Sequence, residues 1–275
     1  AYYNNTSPMP KPTITQTDLI TGFQTLGLNA GDAVFVHSSL SSFGHVEGGA
    51  ETVVNTFLNV LTPTGTLAVP TFHRYFADGP DQIWDRHNTP SLMGHISETV
   101  RTWPGAYRSA HAIHPIAAIG AHAKDIADRD HETDFDKNST FQRLIDHDAY
   151  IALLGVTYQN CTHIHVIEER LEVPYRHWVP YTGTVIDGDT RTHKTYRFLK
   201  RYPGVSNNFM PLGNSLESAG HVHIHTIGNS TLRLFKARDL ITLGMNHVRK
   251  DPLYLISADT QKEAKKYLKG SVKIS

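Results

Sequence analysis

Residues 160–169 (NCTHIHVIEE) carry the side chains from which an acid–base site can be built. They follow an apolar run, YIALLGV, that has the composition of a buried strand. If the segment is helical, His165 and Glu168 share one face of the helix. A carboxylate beside an imidazole fixes its tautomer and stabilises its protonated form, as a general base requires. The same spacing also occurs in ordinary ion pairs on helix surfaces, and Asn160 or Thr162 is expected to cap the helix.

A serine- and glycine-rich turn follows the strand predicted at 33–39. Residues 37–44 (HSSLSSFG) lead to Gly48 and Gly49. Exposed backbone N–H groups in such a turn can bind an anion, and those of residues 38–40 are candidates for an oxyanion site. An ordinary β–α turn with serine caps gives the same pattern. The turn is not a Walker loop, because no Gly-Lys-Ser/Thr follows it, and the chain contains neither GxGxxG nor GxSxG.

An arginine and two histidines, Arg108, His111 and His114, precede the strand predicted at 116–120. Such a group could hold a substrate or a phosphate, and exposed loop histidines are the simpler alternative. A metal site is a further hypothesis, in which Glu168 would join four imidazoles: those of His111, His114, His163 and His165.

Histidine is abundant, with 18 among 275 residues. His221, His223 and His225 alternate along a predicted strand, which favours a polar, solvent-facing strand over a metal cluster. The loop after the strand predicted at 66–72 contains three acidic residues, Asp78, Asp81 and Asp85. They could attract a cation, although acidic residues in loops are usually solvated.

The elements that must position these residues alternate between helices and strands. Helices are predicted at 15–28, 51–61, 92–100, 122–127, 141–146 and 163–171, and strands at 33–39, 66–72, 116–120 and 150–156. This order predicts parallel strands joined by crossovers. Residues 181–198 predict a hairpin that turns at Asp187-Gly188, and residues 221–240 predict one or two strands and a final helix. We expect a flexible segment at 1–12 and one domain over 13–275.

The composition narrows the class of protein. Lys+Arg and Asp+Glu are both 26, so the net charge is zero and a general nucleic-acid binder is not expected. Apolar runs are shorter than the roughly 18–20 residues of a membrane span. The only cysteine, Cys161, excludes an internal disulfide framework and a cysteine-based zinc site. These features are typical of a globular cytoplasmic protein.

Five motifs resemble, in order, the antibiotic N-acetyltransferase family, whose best-known members are the aminoglycoside 3-N-acetyltransferases. The resemblance covers about residues 15–245. Its motifs are 36–44 with the glycines that follow, LTPTGTLAVPTF at 61–72, RSAH through AAIG at 108–120, LLGV with TxxHxxE at 153–168, and GN with LFKAR at 228–238.

The resemblance implies a three-layer α/β/α sandwich. The strand patterns of residues 181–198 and 221–240 predict an antiparallel edge or subdomain in its second half. It implies acetyl-CoA as cosubstrate without a metal, and a small-molecule amine as acceptor. His165 matches the catalytic histidine, and Glu168 matches the carboxylate that orients it. We expect the coenzyme A site at His37, Ser38, Ser39, Leu40, Gly44, Gly48, Gly49, Thr71, Arg108 and Ser109. We expect the acceptor at His111, Glu169 and Asp78, and a monomer or homodimer without nucleic-acid or membrane partners.

Some features depart from the family pattern. His111 is followed by Ala112 where the family commonly has proline, and the chain is neutral although aminoglycoside-modifying members surround their site with acidic residues. The acceptor could therefore be an aminoglycoside, an amino sugar, a biosynthetic amine or a phosphonate. A histidine-rich metal-dependent enzyme and a binding protein without turnover are the other hypotheses. Direct acetyl transfer is expected, with Cys161 as an acyl carrier as the rival mechanism.

Overall fold

The computed structural model describes residues 13–73 and 82–268. Its strands are β1 (Thr13–Ile14), β2 (Ala33–Ser38), β3 (His45–Val46), β4 (Thr66–Pro70), β5 (Ile83–Asp85), β6 (Tyr107–Arg108), β7 (Ile116–Gly120), β8 (Tyr150–Leu154), β9 (Arg176–Asp187), β10 (Thr190–Arg201), β11 (His223–Ile227) and β12 (Ser230–Lys236). Its helices are α1 (Gln16–Leu26), α2 (Gly49–Leu61), α3 (His95–Arg101), α4 (Ala123–Ala127), α5 (Thr140–Asp146), α6 (Ile164–Arg170), α7 (Met210–Ser218), α8 (Ala237–Lys250) and α9 (Gln261–Leu268).

The central sheet has seven strands in the order β11-β12-β8-β2-β4-β7-β6. β2 runs parallel to both β4 and β8, so the predicted crossovers are confirmed at the centre of the sheet. The antiparallel edge expected in the second half is formed by β12 and β11. The opposite edge is also antiparallel, since β7 pairs antiparallel with β4 and β6 pairs antiparallel with β7, which the sequence pattern did not predict.

Helices cover both faces of this sheet, as the three-layer expectation requires. Alternate residues of β2 enter different cores, because successive side chains of a strand point to opposite faces. Val34 and Val36 pack in the core formed with α1, α2 and α3. Phe35 packs in the other core, where it meets Phe141 of α5 and residues of α4, α6, α7 and α8. The α/β/α sandwich is thereby confirmed.

Local signals explain why most predicted helices appear close to their expected bounds. Thr15 and Asp18 form a reciprocal capping box at the start of α1, and Gly27 ends the helix with a φ of 113°. The predicted cap of α6 is wrong, because the N-cap position is His163 and no side-chain cap is found there within the described chain. Helices α7 and α9 were not predicted.

A second sheet, in the order β10-β9-β5, carries the predicted hairpin. Asp187 pairs with Thr190, so the two-residue loop is Gly188-Asp189, one residue later than expected. Trp84, Val185 and Tyr196 are buried together beneath this sheet. No helix in the described part of the chain is long and apolar enough to cross a membrane. The segment 1–12, expected to be flexible, and Asp78 lie outside the described residues.

Candidate active site

His165 and Glu168 lie on one face of α6, as their spacing predicts. β8 ends at Leu154, and the following loop brings α6 beside the end of β2, where the Thr162 N–H donates to His37 Nε2 at 3.4 Å. Polar residues thus meet beyond the carboxyl ends of two parallel strands, where α/β sheets place their sites. His165 Nδ1 contacts Glu168 Oε2 directly. The second ring nitrogen, Nε2, is therefore left to face a substrate.

The Glu168 carboxylate is held by three partners. Its side chain is 1% exposed, the Tyr175 hydroxyl donates to Oε1 at 2.8 Å, and Arg176 Nη2 lies 2.9 Å from Oε2. Burial alone would raise the pKa of Glu168, but the charge of Arg176 and the contact with His165 lower it to about 2. Glu168 is therefore ionised at neutral pH, where it can hold the imidazole through Nδ1.

The His165 imidazole is biased towards its neutral form. Burial lowers its pKa, and the charges of Arg176 and His114 act in the same direction, while Glu168 opposes them. The net result is a pKa below the ordinary histidine value. Since only neutral imidazole can accept a proton, His165 is ready to act as a base at neutral pH.

His165 opens into a cleft of about 430 Å³ between α6 and the second sheet. The wall of this cleft carries acidic residues, basic residues and histidines. The wall includes Asp134, Glu168, Glu169, His114, His165, Arg176, Lys200 and Arg201. Among the described residues the cleft is thus mixed in charge, and Glu168 and Arg176 both contact His165.

Glu169 lines this cleft next to Glu168, so the structure brings one predicted acceptor residue to the candidate base. Its carboxylate accepts a hydrogen bond from the Thr133 hydroxyl, and the residue is 9% exposed. Burial raises the pKa of Glu169 to about 7, and the nearby charges of Asp134 and Asp136 add to this effect, against the Thr133 bond. Glu169 therefore gains its charge near neutral pH, where a cationic ligand would favour the ionised form.

The serine turn after β2 lies on the other side of the start of α6. His37 is buried, and burial lowers the pKa of His37 to about 3, so its ring stays neutral and accepts the Thr162 N–H. The Ser39 N–H donates to the Leu154 carbonyl at 2.9 Å, so it is already used within the chain. The remaining predicted positions here, Ser38 and Leu40, are partly exposed.

The glycines predicted to line a coenzyme channel have backbone conformations that suit tight turns. Gly44, Gly48 and Gly49 have φ values of 97°, 72° and 62°, which side-chain-bearing residues rarely adopt. Gly48 borders a shallow surface hollow with the start of α1, and Gly49 begins α2. These three glycines do not line the cleft that contains His165.

Arg108, Thr71 and Ser109 form a buried hydrogen-bonded group. Arg108 donates to the Thr71 hydroxyl at 3.1 Å and to the Thr71 carbonyl at 2.9 Å, and further donors reach the carbonyls of Arg86 and Thr89. The Ser109 hydroxyl accepts the Ile116 N–H at 3.0 Å. In this structure the group ties β4, β6 and β7 together, and its part in holding a coenzyme stays a prediction.

His111, predicted to contact the acceptor, is fully buried behind the cleft. Its ring stacks on that of His131 at 4.0 Å, and its Nδ1 lies 3.5 Å from Asp134 Oδ1. The metal hypothesis needed His111, His114, His163 and His165 to converge. Across residues 13–73 and 82–268, no three His, Cys, Asp or Glu side chains are grouped as metal ligands.

Sequence reasoning missed Tyr175, Arg176 and Asp134. Tyr175 and Arg176 return to Glu168 because the chain reverses at Glu172, which has a φ of 43°. The Val173 N–H closes this turn on the Glu168 carbonyl at 3.1 Å. No local pattern marks these residues, since each acquires its role only from a contact made after the chain has folded.

A layered α/β/α fold in which a buried carboxylate contacts a histidine at the wall of a cleft can support acid–base chemistry. The family model of the antibiotic N-acetyltransferases, described as aminoglycoside 3-N-acetyltransferase, matches residues 35–249. The chain belongs to this family and is an acyltransferase.

Two curated relatives are each 29% identical to this chain. One is the SPbeta prophage-derived aminoglycoside N(3')-acetyltransferase-like protein YokD of Bacillus subtilis (strain 168), matched over 86% of this chain and 92% of the relative. The other is aminoglycoside N(3)-acetyltransferase VII of Streptomyces paromomycinus, matched over 84% of this chain and 90% of the relative.

Solved structures share the fold. A variant of the aminoglycoside acetyltransferase AAC(3)-IVa in complex with gentamicin C1A superposes with a TM-score of 0.79 at 24% identity, over 96% of this chain and 100% of that one. AAC-IIIb in a binary complex with CoASH superposes with a TM-score of 0.77 at 19% identity, over 87% of this chain and 97% of that one. At these identities the likeness shows the fold.

Proposed function

We propose that this protein transfers the acetyl group of acetyl-CoA to an amine of an aminoglycoside, at the 3-N position, with His165 as general base and Glu168 as the carboxylate that orients it. The observation that carries the proposal is the contact of His165 Nδ1 with the buried, ionised Glu168 at the wall of a cleft. Family membership and the names of the relatives supply the reaction class.

The chemistry requires a base because the nitrogen of a neutral amine becomes positively charged as it attacks the thioester carbonyl and must lose one proton to form the amide. Neutral His165 takes a proton at Nε2 as the amine nitrogen attacks the thioester carbonyl. The imidazolium that forms is stabilised by Glu168, which stays ionised because its pKa is about 2. The tetrahedral intermediate then breaks its C–S bond, leaving the amide and the thiolate of coenzyme A.

Direct transfer is favoured over a cysteine-bound acetyl group. Cys161 is 1% exposed, and burial raises the pKa of its thiol to about 12. A thiol in this environment is almost entirely protonated at neutral pH, and the thiolate is the nucleophile. The amine therefore attacks acetyl-CoA itself in a ternary complex.

The acceptor is proposed from the acidic part of the cleft. Glu168, Glu169 and Asp134 lie together beside His165, where they favour a ligand that carries several amines. One solved relative, a variant of AAC(3)-IVa, is known in complex with gentamicin C1A and in complex with apramycin. The same wall also carries three basic residues, Arg176, Lys200 and Arg201. Their positive charge would favour an acceptor that carries an anionic group, so an amine with a phosphonate group is the alternative acceptor.

The donor site is proposed at the residues that resemble the family. AAC-IIIb binds CoASH in the same fold, and the turn around Ser38 and Ser39 adjoins the start of α6 through the bond of His37 to Thr162. The glycines of residues 44–49, with Thr71, Arg108 and Ser109, complete the proposed channel. The cytoplasmic location and the monomer or homodimer stay predictions.

The experiment measures release of coenzyme A from acetyl-CoA with gentamicin, apramycin, glucosamine and an aminoalkyl phosphonate, for wild type, His165→Ala and His193→Ala. His193 is an exposed histidine on β10 and serves as the matched control. We expect turnover with the aminoglycosides and a loss of at least ~10²-fold in His165→Ala only. Proton NMR of the product locates the acetylated nitrogen.

Other outcomes contradict parts of the proposal. Turnover confined to glucosamine or the phosphonate would replace the aminoglycoside as acceptor. Activity that is abolished by a chelator and restored by zinc would support a metal-dependent reaction instead. Wild-type protein that neither binds acetyl-CoA nor uses it would refute the donor.

A further inference from the structure

A second histidine–carboxylate pair faces the same cleft. His114 Nδ1 lies 3.1 Å from Asp134 Oδ1, and the two side chains are 19% and 1% exposed. Both residues line the cleft together with His165 and Glu168. The chain therefore places two imidazoles, each backed by a carboxylate, around one cavity.

Asp134 is buried beside two imidazoles. Neither the Asp134 oxygens nor His114 Nδ1 has a hydrogen-bond partner among the described residues, although the two side chains are 3.1 Å apart, and buried polar atoms without partners are costly. The two side chains that approach it are imidazoles, His111 at 3.5 Å and His114 at 3.1 Å. His111 is fully buried, and burial holds its pKa well below the ordinary value, so it stays neutral. His114 is the neighbour of Asp134 that borders the cleft.

Three aromatic rings fix the orientation of His114. Phe72 meets its ring edge-on at 4.8 Å, and the rings of Phe135 and Phe198 lie at 5.5 and 6.0 Å. Because Nδ1 is buried beside Asp134, the opposite edge of the ring, with Nε2, is the part that borders the cleft. The Phe135 ring also lies 5.9 Å from His165, so the two imidazoles flank one aromatic side chain.

The reaction proposed above needs a proton donor as well as a base. The amine loses a proton to His165, while the sulfur of coenzyme A leaves with the electron pair of the broken C–S bond. An alkyl thiol has an ordinary pKa near that of a cysteine, roughly 8.5, so the released sulfur takes up a proton at neutral pH, and a general acid can supply that proton as the C–S bond breaks. The cleft therefore offers His165 for the proton that the amine loses and His114 for the proton that the sulfur gains.

Resting on the proposed function, we propose that His114 is the general acid that protonates the departing sulfur of coenzyme A, and that Asp134 positions it. The Nε2–H bond of His114 breaks and an S–H bond forms as the C–S bond breaks. His114 ends the turnover neutral and His165 ends it protonated. One proton taken from solvent by His114 and one released by His165 restore the enzyme.

The test varies the leaving group. Wild type, His114→Ala, Asp134→Asn and the control His193→Ala are compared with two small donors, S-acetyl-N-acetylcysteamine, an alkyl thioester, and S-acetyl-4-nitrothiophenol, an aryl thioester whose thiolate leaves without protonation. We expect His114→Ala to lose about 10²-fold in kcat/KM with the alkyl donor and less than about threefold with the aryl donor. Asp134→Asn should show the same contrast in a weaker form.

A second readout uses acetyl-CoA itself. Imidazole added to His114→Ala, but not to His193→Ala, should restore turnover by occupying the space left by the side chain. If wild type does not accept the small donors, this rescue by imidazole tests the role of His114 on its own. Thermal unfolding of each variant separates lost chemistry from lost structure.

The two proposals fail differently. Absence of wild-type turnover with acetyl-CoA and every amine would refute the proposed function. Wild-type turnover with an equal loss for both small donors in His114→Ala, or with no loss and no imidazole rescue, would overturn the role of His114 and leave His165 as the base.

Discussion

His163 and His165 are two residues apart at the start of one helix, yet their surroundings differ in every respect that matters for chemistry. His165 is 24% exposed at its side chain, borders the cleft and contacts Glu168. His163 is fully buried, with its ring against Phe35 at 5.2 Å and Phe141 at 5.1 Å. Neither of its ring nitrogens has a hydrogen-bond partner within the described chain.

The difference teaches that a histidine becomes a base through its partner and its access to a ligand. Burial lowers the pKa of His163 to about 3, and no carboxylate opposes that effect. At His165 burial acts in the same direction, but Glu168 opposes it and would stabilise the charge once a proton arrives. His163 therefore serves packing beneath the sheet, while His165 is suited to proton transfer.

The largest effect is expected from removing the negative charge of Glu168, which contacts His165 but not His163. Glu168→Gln keeps the shape of the side chain but no longer stabilises the imidazolium, so we expect kcat to fall by about 10²-fold. Steady-state release of coenzyme A, measured with the preferred acceptor, checks this value.

Stability needs its own control, because Arg176 is 8% exposed and would lose its partner. The double variant Glu168→Gln/Arg176→Gln removes both charges together. We expect it to recover the thermal stability lost by Glu168→Gln without recovering the activity. Near-normal turnover in either variant would show that Glu168 does not assist His165.

Much of the fold around this comparison could be predicted from local sequence. The capping box of Thr15 and Asp18, the apolar runs of β2 and β8 and the hairpin of β9 and β10 follow from signals within a few residues. The spacing of His165 and Glu168 predicts their shared face for the same reason.

What could not be predicted depends on contacts between distant residues. The direction of β7 is set by its pairing with β4, about 50 residues earlier, and no local pattern encodes it. Arg176 and Asp134 acquire their positions only when β9 and the loop before α5 close over the cleft. The sign of the His165 pKa shift was equally out of reach, because burial, Glu168 and Arg176 act in opposing directions.

A smaller effect, on stability alone, is expected at His163. Its pKa is about 3 in the folded protein and roughly 6.5 when unfolded, so the unfolded chain binds more protons between these values. Its contribution to stability is thus complete above about pH 6.5 and is lost as the pH falls towards 3. Urea unfolding should show that His163→Phe reduces the stability lost between pH 7.5 and 4.5 by about 3 kcal/mol.

His193→Phe is the control for this titration, since an exposed histidine should leave the pH dependence unchanged. His37 shares the lowered pKa, to about 3, so part of the acid sensitivity should persist in His163→Phe. Turnover of His163→Phe should stay within about threefold of wild type at pH 7.5. A large loss of activity without a loss of stability would mean that His163 takes part in the reaction and that the contrast with His165 fails.

The smallest effect is expected at Cys161, the third titratable side chain of this segment. Cys161 is 1% exposed and its thiol has a pKa of about 12. It is therefore buried and unreactive like His163, whereas His165 borders the cleft. Cys161→Ser should keep turnover within about twofold of wild type, because no bond to this sulfur forms in direct transfer. Mass spectrometry after incubation with acetyl-CoA, without acceptor, should find no acetyl group on Cys161. An acetylated Cys161 that is released by added amine would make this buried thiol the nucleophile, and burial would then no longer separate structural from catalytic residues in the segment.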